Sequence, residues 1–157
     1  MKIINFKLSI PKIIAIVISI IAIIFIISAL VRFLDFATGE EIVMTNENYT
    51  QILKDCHQNI ENYIDKKIYT TGYIYRPSDV KENEFVIARD MLINKSEAQI
   101  VGFLATYDQT LDLDDNIWIE ARGIIKEGDY HGSIPIIEIK SIKRITTPEE
   151  IFVYPPN

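Results

Sequence analysis

The pattern of apolar residues divides the chain into an unbroken apolar run and a longer region in which apolar and polar residues alternate. The run extends from Ile13 to Val31 and is interrupted only by Ser19 and Ser28. As a helix its ~19 residues reach about 28 Å, close to the ~30 Å hydrocarbon core of a bilayer. A core helix of a small soluble protein should carry a polar face, and this run has none. The run therefore predicts a transmembrane helix.

Basic residues lie mainly on the N-terminal side of this run. Lys2, Lys7 and Lys12 precede it, whereas Arg32 alone follows it closely. An excess of Lys and Arg marks the cytoplasmic side of a membrane span, so we expect a cytoplasmic N-terminus in a single-pass cell-membrane protein. Everything after Phe36 then lies outside the cytoplasm. A cleaved signal peptide is the alternative, although its apolar region is usually only about 7–15 residues long.

Beyond the predicted tip and anchor at residues 1–36, a short acidic connector occupies residues 37–44. Apolar residues then recur at steps of three and four, which predicts an amphipathic helix over residues 46–64, capped by Thr45 or Asn46. The period changes to two after residue 66. This alternation predicts strands at residues 67–76, 84–93, 99–107, 116–126 and 133–145, followed by an extended tail.

Five strands in about 80 residues favour a small closed barrel, because an open sheet this apolar would expose an adhesive edge. Gly72 in the middle of the first strand indicates a bulge or a sharp coil of the sheet. The predicted fold is one transmembrane helix plus a small α+β domain at residues 45–157, in which an amphipathic helix precedes a five-stranded OB-like barrel. A two-layer α/β roll is the alternative.

Charge is distributed unevenly along the chain. Residues 1–39 hold four basic and one acidic side chains, whereas residues 40–157 hold twelve basic and twenty-one acidic ones. An acidic domain repels phosphate backbones, so we expect no nucleic-acid binding despite the predicted fold. Cys56 is the single cysteine, which excludes an internal disulfide and disfavours a structural zinc site. We therefore predict no cofactor and no resident metal.

The acidic stretch Asp112–Asn116 places oxygen ligands at the first, third and fifth positions of a calcium-binding loop. The rest of that loop does not fit, because Ile117 stands where glycine is needed and Gly123 where a bidentate glutamate is needed. We therefore interpret the stretch as a solvated turn before a strand.

Catalytic residues are not evident in the sequence. Cys56 and His57 are neighbours on a helix and point about 100° apart, so they cannot grip one metal together. Cys56 lies on the apolar stripe, and His131 lies in a turn flanked by glycines. A Cys56–His131 nucleophile pair is disfavoured because nothing visible activates the thiol. We predict that the protein is not an enzyme, and a hydrolase is the least favoured alternative.

Aromatic residues and arginines share the predicted strands. OB barrels stack and clamp ligands with side chains of these types, although aromatic residues also favour strands for packing alone. With Tyr69 considered beside them, the candidate ligand or partner surface consists of Tyr73, Tyr75, Arg76, Arg89, Trp118 and Arg122.

A series of short motifs follows one another along residues 45–156. It includes Asn48-Tyr49, Thr71-Gly72-Tyr73-Ile74-Tyr75-Arg76, Phe85-Val86-Ile87-Ala88-Arg89, Ala98-Gln99-Ile100-Val101-Gly102, Trp118-Ile119 and Val153-Tyr154-Pro155. In order and spacing the series resembles the YcgQ-like family of bacterial membrane proteins, described as permease subunits with N-terminal transmembrane helices and a C-terminal β-rich domain.

The resemblance implies a non-enzymatic accessory subunit of a permease or transporter complex, with a multi-spanning permease as its partner. It implies no catalytic residues. The chain departs from the family in having one transmembrane helix and in lacking a Cys-Cys pair, where it carries Asn94–Ala98 instead. A small-ligand or metal-binding module outside the cytoplasm is the alternative function.

Overall fold

The structure, a computed structural model, describes residues 10–108 and 113–156. It divides into two units, residues 1–39 and residues 40–157. Helix α1 spans Ile10–Thr38 and forms the first unit, together with residues that lie outside the described range. Its window Ile13–Val31 has a mean hydropathy of 3.3 and is not buried at any position. By length and composition this helix can cross a membrane, as the sequence predicted.

The amphipathic helix is shorter than predicted. Helix α2 spans Tyr49–Gln58, and a separate 3₁₀ turn at Ile60–Asn62 follows it. Asn59, with φ −137° and ψ 51°, interrupts the helix, so the apolar stripe continues across two elements. The predicted cap was also wrong: Asn48 occupies the cap position, and its side chain accepts a hydrogen bond from the Thr45 amide at 2.7 Å.

Five strands form a closed mixed β-barrel, which confirms the predicted OB-like fold. The strands are β2 (Lys67–Tyr75), β3 (Glu84–Asn94), β4 (Glu97–Thr106), β5 (Trp118–Asp129) and β6 (Ser133–Ile145). Around the barrel the order is β2-β3-β4-β6-β5, and β5 pairs back to β2. Every pairing is antiparallel except the one between β4 and β6.

Two short strands lie outside the barrel, and the sequence predicted neither. Strand β1 (Ile42–Val43) falls within the predicted connector and pairs in parallel with β2. Strand β7 (Phe152–Val153) falls within the tail and pairs in parallel with β3 at Asp90 and Met91. Two residues are too few to produce a period, so only their place in the fold reveals them.

The barrel interior is built from alternate positions of each strand. In β2 every second residue is buried from Ile68 to Ile74, which confirms the predicted period of two. Tyr49 and Cys56 of α2 join the same core. The residues that fill the barrel are Ile68, Ile74, Phe85, Ile87, Phe103, Ala105, Ile119, Ala121, Ile125, Ile137 and Ile139.

Gly72 lies at the point where the pairing of β2 passes from β5 to β3. It pairs with Ile119 of β5, and the next residue, Tyr73, pairs with both Trp118 and Ala88. A Cβ atom on Gly72 would stand 2.6 Å from the carbonyl oxygen of Ala88. The pairing of β2 shows no register shift, so the glycine permits a sharp coil and close strand approach.

We therefore expect Gly72→Ala to lower the free energy of unfolding by about 1–3 kcal/mol, because the backbone of β3 must move. Trp118 is the single tryptophan and lies in the barrel, so its fluorescence in a denaturant titration reports on this domain. The matched control is Gln99→Ala at an exposed strand position, which should change stability little. Equal effects of the two substitutions would contradict the proposed role of the close approach.

Candidate functional site

Arg89 lies in the interior of the domain, with 1% of its surface exposed. Its Nη2 donates to Asn46 Oδ1 at 2.6 Å and to the Glu150 carbonyl at 3.1 Å. Its Nε donates to the Ile151 carbonyl at 3.2 Å, and its Nη1 to Thr71 Oγ1 at 3.3 Å. One guanidinium thus joins the segment before α2, the C-terminal tail and two barrel strands.

Two aromatic rings enclose the same guanidinium. Its Cζ lies 5.1 Å from the ring centre of Trp118 and 5.7 Å from that of Tyr49. Burial lowers the pKa of Arg89 from its ordinary value. Its hydrogen-bond partners are neutral carbonyl, amide and hydroxyl oxygens, while the nearby carboxylates of Asp90 and Glu150 act in the opposite direction to burial and raise its pKa. Arg89 therefore belongs to the packing of the domain and not to the surface on which the sequence interpretation placed it.

Trp118 and Tyr73 form a second part of this cluster. Trp118 is 9% exposed, and its ring meets that of Tyr73 edge to face at 5.8 Å between centres. The hydroxyl of Tyr73 donates to Asp90 Oδ1 at 2.9 Å. Burial, and then this hydrogen bond, raise the pKa of Tyr73. The hydroxyl of Tyr73 is therefore already bonded to a neighbouring strand, β3.

Arg76 joins the end of β2 to the loop between β4 and β5. It forms an ion pair with Asp115, and its Nη2 donates to the Leu113 carbonyl at 2.8 Å. Its guanidinium also lies 5.7 Å from the ring centre of Phe85. Asp112, the first position of the considered calcium loop, lies outside the described residues. Within residues 10–108 and 113–156, no group of three or more His, Cys, Asp or Glu side chains could hold a metal ion.

Arg122 joins β5 to the segment that follows α1. Its Nε contacts the two carboxylate oxygens of Glu41 at 3.2 and 3.4 Å. Its guanidinium lies 4.6 Å from the ring centre of Tyr69. The three candidate arginines therefore share one property: each connects the barrel to a segment outside its strands.

Tyr75 is exposed over 37% of its surface and, with Arg122, is one of two exposed residues among the six candidates. It ends β2 beside the loop of residues 76–83, which leads to β3. This loop contacts the turn between β5 and β6: the Tyr130 hydroxyl donates to Asp79 Oδ2 at 2.9 Å, and His131 Nε2 lies 3.2 Å from the same oxygen. The Tyr130 bond, and then the His131 bond, lower the pKa of Asp79.

These two loops are the ones with which OB folds bind oligonucleotides and oligosaccharides. Their contact is not predictable from the sequence, because Asp79 and His131 are far apart in the chain and belong to no motif. Only the barrel topology brings them together.

Cys56 and the two histidines have separate surroundings. Burial raises the pKa of Cys56 to about 12, so its thiol is not ionised at neutral pH. His57 Nδ1 lies 2.8 Å from the Leu53 carbonyl, and its ring stacks on Phe103 at 6.0 Å. His131 instead contacts Asp79. Each of the three side chains therefore has contacts of its own, and Cys56 and His131 do not form a nucleophile pair.

Comparison with known proteins identifies a family and finds similar solved structures. A family model described as the DUF1980 C-terminal domain matches residues 32–155. No curated protein matches the chain. Among solved structures, the mitochondrial single-stranded DNA-binding protein Rim1 from S. cerevisiae matches with a TM-score of 0.35 and 6% sequence identity, over 54% of this chain and 99% of its own.

Proposed function

The chain belongs to the family defined by the DUF1980 C-terminal domain, and we propose that it is a non-enzymatic, membrane-anchored accessory subunit of a permease or transporter complex. The observation that carries the proposal is helix α1, whose apolar window is exposed along its whole length. A helix that is apolar all round is suited to a lipid environment. Only residues 39–41 lie between this helix and the first strand along the chain.

The contacts that polar side chains make within the domain support a binding role and not a catalytic one. Arg76, Arg89 and Arg122 bind segments of this chain, and Cys56 is buried with a raised pKa. The barrel then contributes shape and surface to a complex, while transport is performed by a multi-spanning partner. Its acidic charge favours a partner other than nucleic acid.

The test of this proposal is co-purification. The tagged full chain is extracted from its own membranes in mild detergent, and the proteins recovered with it are identified by mass spectrometry. The matched control keeps residues 1–39 and replaces residues 40–157 with an unrelated folded domain. We expect a multi-spanning protein with the full chain and not with the control. Recovery of no such protein, or equal recovery with both, would overturn the proposal.

The proposed topology places the N-terminus in the cytoplasm and the barrel outside it, and Ser96→Cys tests this arrangement. Ser96 is exposed in the turn between β3 and β4, whereas the native Cys56 is buried and its thiol is not ionised. We expect a membrane-impermeant maleimide to label Ser96→Cys in intact spheroplasts and to leave the wild-type chain unlabelled. Labelling of the variant only after permeabilisation would place the barrel in the cytoplasm.

A second candidate function is a small-ligand or metal-binding module, favoured by the contact between the two loops beside Tyr75. Calorimetry of the full chain with Ca²⁺, Zn²⁺ and cell-envelope fragments tests it. Binding heat that disappears in Tyr75→Ala or Asp79→Ala, and persists in Val43→Ala, would support this function. An absence of heat across the panel would reject it.

A further inference from the structure

The barrel is closed, but the first part of strand β4 has a neighbour on one side only. Strand β4 pairs with β3 along its length, but with β6 only at Leu104–Thr106. Within the described part of the chain, no strand pairs with residues 97–103 on their other side. Residues 97–100 are exposed, and the stretch from 97 to 103 contains neither lysine nor proline. Natural strand edges are usually protected by such residues, so this edge is suited to pairing with another strand.

The hairpin that carries this edge is held in place before any partner arrives. At its tip Asn94 Oδ1 accepts hydrogen bonds from the Ser96 amide and hydroxyl, while Asn94 Nδ2 donates to Glu97 at 3.0 Å. On one face Met91 and Val101 pack against the core. A preformed edge reduces the ordering cost of association.

The opposite face of the hairpin carries the exposed Ile100 beside its cross-strand partner Asp90. Ile100 alternates with the core-facing Val101 and is 46% exposed. Residues 91–102 carry only Lys95 and Glu97 as charged side chains, so this hairpin is neutral within a strongly acidic domain. Acidic copies repel one another over most of their surface, whereas the neutral hairpin allows close approach.

We propose that this edge of β4 pairs antiparallel with the same edge of a second copy of the chain, about a twofold axis at Ile100. In this register Ala98 lies opposite Gly102, and Gln99 lies opposite Val101. Glu97 of one copy does not face Glu97 of the other, so no like charges oppose each other. Such an interface is self-complementary, and anchoring both copies in one membrane raises their effective concentration. The inference is independent of the permease proposal.

Single cysteines near the axis test the register in native membranes. Antiparallel partners have Cα atoms about 4.5–5.5 Å apart, within the range of a disulfide. We expect mild oxidation to convert Ile100→Cys of the full chain into a disulfide dimer at least about tenfold more than Val43→Cys, since paired thiols lie within bonding range. Val43 is a matched control because its exposure, 47%, is nearly equal. The wild-type chain reports the background of Cys56.

A lysine introduced on the free edge of β4 provides the second test. We expect the full chain in detergent to have the mass of a dimer by light scattering, and Ile100→Lys to weaken dimerisation about tenfold or more. Val43→Lys should leave the dimer intact and keep the thermal midpoint of the wild type. Ile100→Lys should keep the midpoint that the wild type shows when it is diluted to a monomer, because only the contribution of association is lost. A monomeric wild type without cross-links would overturn the proposal. So would equal cross-linking at Val43→Cys, or cross-linking of Ile100→Cys only to a different protein.

Discussion

Replacing Arg89 with methionine is expected to lower the free energy of unfolding of the barrel by about 3–5 kcal/mol, because several acceptors inside the domain lose their donor. Methionine keeps an apolar chain of similar length, so the cavity is small. The substitution leaves Asn46 Oδ1 and the carbonyls of Glu150 and Ile151 without the donor that the structure gives them. An unpaired acceptor that is fully buried costs about 1–3 kcal/mol, and these three are partly buried, so each contributes toward the lower end of that range. Denaturant titration followed by Trp118 fluorescence measures the loss.

Two further variants show whether the loss of stability is specific to the buried guanidinium of Arg89 or would follow from removing another arginine. Arg122→Met removes a partly exposed ion pair with Glu41, for which we expect at most about 1 kcal/mol. Arg89→Lys keeps the positive charge but cannot reproduce the planar fork, so it should retain only a minor part of the stability. If Arg89→Met were no more damaging than Arg122→Met, the buried network would not be what joins the tail to the barrel.

The sequence predicted the barrel because each of its strands carries a strong signal. In β2 the alternation runs from Ile68 to Ile74 without interruption, and only one register puts these side chains in the core. The helix boundary was wrong because apolar spacing continues past Asn59, where the backbone leaves the helix. Side-chain periodicity records which face is buried and does not record a change of backbone angle.

The candidate site was less predictable, and Arg89 shows why. An arginine on a strand is usually exposed, and nothing near it in the sequence indicates otherwise. Its partners Asn46 and Glu150 come from the two ends of the domain. Similarly, the contact between Asp79 and Tyr130 depends on the way the barrel closes. The residue types indicated which side chains to consider. Their burial and their hydrogen-bond partners could be predicted only with the topology of the barrel known.

Ending the chain after Pro148 is expected to destabilise the barrel by about 4–6 kcal/mol, from lost apolar burial together with lost hydrogen bonds. The deletion removes β7 from the edge of β3 and takes away Val153, which is fully buried. It also removes the Tyr154 carbonyl, which accepts a hydrogen bond of 2.6 Å from Thr50 of α2. The same fluorescence titration applies, since Trp118 remains. Deleting only residues 155–157 is the matched control and should have little effect.

A double-mutant cycle decides whether the tail and Arg89 act as one unit. The tail supplies two of the acceptors of Arg89, so Arg89→Met should cost about 1–2 kcal/mol less in the shortened chain than in the full one. Strictly additive losses would mean that the tail stabilises β3 independently of the guanidinium. Coupling would instead mean that the segment before α2, the tail and the barrel unfold together. One buried side chain would then unite the two ends of a small domain whose single cysteine cannot form an internal disulfide.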